Sequence, residues 1–254
     1  MRKDRLRVAV FIFVSFALLL GVSVVAAALE PPLVVASTSW VGLIVRAAGI
    51  EDVTILAPIE LRHPPEYDYR PSDIARVTKA DYLVWAGYEP FVGRLIDAAE
   101  LSEDRLVQVV TTNTPDNLKE QTRKLAALFG TEEGQSKWEA EFSELVGRLQ
   151  EAARQKAVAD TPALVHFHQQ AVVNWLGYDV LDVFGPEDIS PAKMAELARL
   201  GPAMVIDNYH NPVGVGIAEI AGVPHVELAN FPAKGLDTLE ALMEDNAKKL
   251  GLLE

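Results

Sequence analysis

Residues 132–159, EEGQSKWEAEFSELVGRLQEAARQKAVA, read as one long helix and divide the rest of the chain into two halves. Trp138, Phe142, Leu145, Leu149 and Ala152 recur at three- and four-residue intervals, which gives a charged helix a single apolar stripe. Periodicity alone allows two readings: a spine connecting two lobes, or an ordinary packed surface helix inside one domain.

Before this helix, short β-rich apolar runs alternate with helical patterns: 33–36, a helix near 40–48, 53–56, a helix over 71–79, 82–85, and a helix over 117–129 stopped by Gly130. Pro71-Ser72-Asp73 marks a helix start, because proline tolerates the first turn and Ser or Asp can cap open backbone N–H groups. The loop over 61–70 has no regular pattern. After the helix the alternation restarts: 163–167, a helix near 169–176, 180–183, a Ser190-Pro191 helix start running to Leu200, 203–206, a helix near 213–221, 226–228 and a terminal helix over 236–250. Both halves are therefore expected to be α/β. They show no sequence repeat and no Gly/Ser-rich hinge, so motion between them is expected to be small.

The chain has 254 residues, half of them hydrophobic, enough for one or two ordinary cores without disulfides, and it contains no cysteine. Arg2, Lys3, Arg5 and Arg7 precede an uncharged run over 8–29 that ends in small residues. This predicts an export signal in residues 1–28, either removed after Ala28 or retained as an N-terminal membrane anchor. Without residues 1–28 the remainder carries 19 basic against 35 acidic side chains, which argues against nucleic acid as a partner. With thiolate excluded, any metal site must use His, Asp and Glu, a set open to zinc, manganese and other divalent ions.

The five histidines, His63, His166, His168, His210 and His225, lie in or just beyond predicted strand ends, where open α/β folds present their binding groups. His63 sits in a loop stiffened by Pro64 and Pro65, while Glu66 and Asp68 beside it read as solvated or capping carboxylates. In Val165-His166-Phe167-His168 the strand-end residue His168 is the better ligand, with His166 as a supporting group or a core histidine bonded to backbone. Asp207-Asn208-Tyr209-His210 offers an acid, an amide and an imidazole, though Asp207 and Asn208 equally suit a turn. Glu227, flanked by Val226 and Leu228, is expected in a buried strand and so needs a partner, a cation or a salt bridge, with His225 on the opposite face. No nucleophile elbow, His-Glu-x-x-His or phosphate loop is present.

In order along the chain, Val34-Val35-Ala36-Ser37, His63-Pro64 with Tyr67 and Pro71-Ser72-Asp73, Ala80-Asp81-Tyr82-Leu83-Val84, His168 leading into Trp175-Leu176-Gly177-Tyr178, and Phe184-Gly185-Pro186-Glu187 resemble the periplasmic solute-binding proteins of zinc and manganese ABC importers. The resemblance spans most of residues 33–250. It implies an α/β fold of two lobes with parallel sheets, an N-terminal lobe over 33–130, a long rigid linking helix over 131–160 and a C-terminal lobe over 161–254, with the ion in the cleft between them. His63 matches the first-lobe histidine and His168 the histidine opening the second lobe; the other ligands are expected from 207–210 and Glu227. The expected ligand set is His63, His168, His210 and Glu227, with Asp207 and His166 as reserves and Zn²⁺ ahead of Mn²⁺. This describes an exported, non-enzymatic monomer that delivers a divalent metal to an ABC permease. The competing expectations are a membrane-anchored metallohydrolase with an open metal position and Asp207 or Glu66 as base, and a binding protein for a metal chelate or another small solute.

Overall fold

The computed structural model describes residues 31–61 and 63–254, which form one compact unit. The expected signal or anchor in residues 1–28 lies outside the described residues. Among the described residues no helix is long and apolar enough to cross a membrane.

Two four-stranded parallel sheets make up the scaffold. The first contains β1 (Val34–Ala36), β2 (Val53–Ile55), β3 (Tyr82–Trp85) and β4 (Leu106–Gln108), in the order β2-β1-β3-β4. The second contains β5 (Pro162–His166), β6 (Asp179–Phe184), β7 (Met204–Asn208) and β8 (His225–Leu228), in the order β6-β5-β7-β8. The lobes thus repeat one topology without repeating a sequence. Central strands buried on both faces need near-continuous apolar runs, which is what VVA and ALV supply in β1 and β5.

The helices in the first half are α1 (Ser39–Ala47), α2 (Pro71–Lys79), α3 (Pro90–Ala99) and α4 (Pro115–Phe129). The long helix is α5 (Glu132–Gln155), followed by α6 (Gln170–Leu176), α7 (Pro191–Ala198), α8 (Val215–Ala221) and α9 (Leu239–Lys249). Helix α2 and strand β3 fall on the bounds expected from sequence, whereas α3 and β4 are additional elements. Gly130 ends α4 in the left-handed conformation that glycine adopts without steric cost. Ser190 caps α7 by accepting a hydrogen bond from the Lys193 amide.

The apolar stripe of α5 settles between the two readings left open by its periodicity. Phe142, Leu145, Leu149 and Ala153 are buried in one cluster that also contains Val34, Trp40 and Ile44 from the first lobe and Val165, Ile206 and Leu242 from the second. Helix α5 is therefore a spine whose stripe is shared by both lobes. Burial of a side chain such as Leu149 contributes about 1.5–3 kcal/mol.

Candidate functional site

In both sheets the strand order reverses between the first and third strands, and such crevices beyond the carboxyl ends of parallel strands are where open α/β sheets bind ligands. Here the carboxyl ends of the two sheets wall one cavity of about 700 Å³. Trp40 follows β1, His63 follows β2, Tyr88 follows β3 and Asn113 follows β4. From the second lobe, Phe167 and His168 follow β5, His210 and Asn211 follow β7, and Asn230 and Phe231 follow β8.

The cavity walls are tied down by buried polar groups beneath them. Buried Glu89 accepts from the Ser37 hydroxyl at 2.6 Å and from the Ala86 amide at 3.1 Å, joining the ends of β1 and β3. The Trp40 indole N–H donates to the Thr111 carbonyl at 3.2 Å, fixing the loop after β4. In the second lobe, buried Gln169 donates through Nε2 to Asn208 Oδ1 and to the Leu228 carbonyl, both at 3.0 Å, linking β5, β7 and β8. A cavity built on such linked strand ends is preorganised.

His63 stands on the loop between β2 and α2, and the fully buried Asp73 anchors that loop. Asp73 accepts from the Tyr67 hydroxyl and the Arg70 amide, both at 2.8 Å, and from the Arg76 guanidinium at 2.9 Å. Tyr67 packs edge-on against Phe91, and burial, then the Asp73 carboxylate, raises its hydroxyl pKa. Glu66 is not simply solvated: its Oε1 lies 3.0 Å from His63 Nδ1. With Nδ1 donating to that carboxylate, Nε2 carries the lone pair a metal would take.

His168 lines the opposite wall, on a short 3-10 turn over Phe167–Gln169. Burial, and then the neighbouring His63, lowers its pKa, which keeps the imidazole neutral. His166 has the alternative role expected of it, a core histidine bonded to backbone. It is fully buried, its Nδ1 accepts from the His168 amide at 3.1 Å, and its Nε2 has no hydrogen-bond partner. Desolvation pushes its pKa down to about 4, so it too is neutral.

His210 lines the cavity, but its Nε2 accepts from the Phe231 amide at 3.2 Å. Ligation through this nitrogen requires that bond to be given up. Glu227 and His225 sit differently from what the sequence suggested. Glu227 does not line the cavity; it is half-buried in β8, in register with Asp207, short of the strand end that reaches the cleft. His225 and Glu227 are two residues apart in one strand and so share a face, contrary to the expected opposition. Asp207 is also withdrawn. Fully buried, it accepts from the Gly214 amide at 2.6 Å and the Asn208 amide at 2.7 Å, and its Oδ2 lies 2.9 Å from His225 Nε2.

The structure adds lining groups that the histidine pattern did not single out: Trp40, Tyr88, Asn113, Asn174, Asn230 and Phe231. Their signal was position, each following a strand end or lying in the helix after one. No described lining residue is Asp, Glu, Lys or Arg. Among the described residues no three His, Asp or Glu side chains close on one point. The three cavity histidines therefore bracket the cleft from two sides without completing a cage.

No family model matches the sequence, and no curated protein matches it. Solved structures do. A manganese-bound variant of a periplasmic metal binding protein from Candidatus Liberibacter asiaticus is 14% identical, with a TM-score of 0.70 over 87% of this chain and 100% of that one. A crystal structure of ZnuA is 16% identical, with a TM-score of 0.66 over 86% of this chain and 98% of that one. A Zn(II)-bound variant of AdcAII from Streptococcus pneumoniae is 15% identical, with a TM-score of 0.61 over 87% of this chain and 100% of that one. The chain has the fold of these proteins: two parallel α/β lobes on a shared helical spine, with a cleft between their strand ends.

Proposed function

We propose that this protein is an extracytoplasmic solute-binding protein that captures a divalent transition metal, zinc ahead of manganese, and delivers it as a monomer to the permease of an ABC importer. The observation that carries this reading is the placement of His63 on one wall of the cleft and His168 and His210 on the other, in a fold shared with manganese- and zinc-bound proteins. His63 offers Nε2, His168 is held neutral by burial, and His210 joins when the Phe231 amide is released. Nitrogen ligands of this kind suit zinc, and manganese accepts them alongside oxygen. The basic, then uncharged N-terminal sequence supports export.

A carrier fits better than a hydrolase because Asp207, a carboxylate a hydrolase would use as base, is held by three donors inside the second lobe and does not line the cavity. Calorimetric titration of the purified protein with zinc and manganese chloride tests the proposal. His63→Ala and His168→Ala should each weaken binding by about tenfold or more. If neither substitution weakens binding of any divalent ion, the metal-carrier reading fails.

A further inference from the structure

We infer that the segment joining β8 to α9, residues 229–238, is a metal-sensing element, held down by His210 until the metal takes that imidazole. The inference rests on the metal-carrier reading and concerns the regulation of the same site. Ring chemistry is the first argument. A neutral imidazole has one N–H and one lone pair. His210 Nε2 accepts from the Phe231 amide at 3.2 Å, so the lone pair is on Nε2 and already committed. Ligation through Nε2 takes that lone pair from the amide. Ligation through Nδ1 moves the ring proton to Nε2, where it faces the Phe231 N–H donor to donor. By either nitrogen, binding metal and holding the Phe231 amide exclude one another.

Burial is the second. His210 is 9% exposed and Phe231 7%, and their rings meet edge to face with centroids 5.1 Å apart. A buried amide that loses its acceptor is destabilising where it stands, so the backbone around Phe231 has to shift until the N–H finds water or another acceptor.

The third is how little else holds the segment. Its ends are fixed. Asn246 of α9 accepts from the Ala229 amide at 2.9 Å and donates to the Ala229 carbonyl at 2.8 Å, and Thr238 caps α9 by accepting from the Ala241 amide at 3.0 Å. Between these anchors, among the described residues, the bond from Phe231 to His210 is the only hydrogen bond tying the segment to the rest of the protein; the Leu236 amide bonds within it, to the Ala233 carbonyl at 2.9 Å. Asn230 Oδ1 is buried without a hydrogen-bond partner, so that side chain oxygen adds no tether. Ala233, Lys234, Gly235 and Asp237 are exposed, which leaves the shift free to reach the surface.

The test is hydrogen–deuterium exchange of the purified protein, read at the Phe231 amide by NMR and over residues 229–238 by mass spectrometry, with and without saturating zinc chloride. Calorimetry on the same samples reports whether zinc binds. With zinc bound, the Phe231 amide should exchange about tenfold faster or more, whereas a segment merely covered by its ligand would slow. His210→Ala removes the acceptor, so its segment should exchange fast without zinc and show no further rise with it. The wild-type comparison alone decides should that variant not fold. If zinc binds and the wild-type segment exchanges no faster, or if folded His210→Ala keeps it slow without zinc, the sensing inference is overturned and the carrier reading stands. If no zinc binds, both are overturned.

Discussion

Asp207→Asn distinguishes a carboxylate that holds the second lobe together from one that holds the cargo. The side chain is fully buried and meets three donors, the amides of Gly214 and Asn208 and the His225 imidazole, at 2.6, 2.7 and 2.9 Å. Hydrogen bonds to a charged group contribute about 1.5–3 kcal/mol each. Asparagine keeps the shape but turns an N–H₂ group towards at least one of these donors, so the expected loss is about 3 kcal/mol. For a domain of this size each kcal/mol moves Tm by about 2–4 °C, which gives a fall of about 6–12 °C. Urea unfolding followed by tryptophan fluorescence measures the loss, and zinc titration of the folded variant measures binding. The expected outcome is a destabilised protein with zinc affinity near that of the wild type. A variant with unchanged Tm and zinc binding weakened by about tenfold would refute the reasoning and make Asp207 a ligand.

Three further outcomes follow from buried groups. His166 falls from an ordinary pKa of 6.5 to about 4 on folding, so between those values the unfolded chain binds more protons than the folded one. Stability is full above this window and should drop by about 2 kcal/mol between pH 7.5 and 5 in metal-free buffer, a drop that His166→Gln removes. Leu149→Ala, in the stripe shared by both lobes, should cost about 2–5 kcal/mol and still show one unfolding transition by calorimetry. Tyr67→Phe removes one of three donors to Asp73 and should cost about 1 kcal/mol in urea unfolding, with weaker zinc binding because the His63 loop loses an anchor.

How much of this was legible in the sequence depended on pattern length. Helix α2 and strand β3 announce themselves through Pro71 at a first turn and through the apolar run of β3, and both lie where expected. Helix α3 did not, because Gly93 interrupts its helix formers and no Ser or Asp follows Pro90 as Ser72 and Asp73 follow Pro71. Strand β4 was missed although β2, equally short and equally at a sheet edge, was read. That omission hid Asn113 as well, since the loop after β4 could not be seen as a strand end. His63, His168 and His210 line the cavity and were legible as candidates because each lies just beyond a strand end. Glu227 is absent from the cavity lining because it sits one residue short of the end of β8, a boundary that its apolar neighbours do not mark in the sequence.

The core that runs without a break from β1 through α5 to β7 and α9 makes the melting curve of the whole chain a gauge of anything bound between the lobes. A ligand bound between the lobes would add about 2.7 kcal/mol to the stability of both when present at a hundred times its Kd. Candidate ions can therefore be ranked by the heat each one lets the protein withstand, with no label and whichever atoms touch the ion.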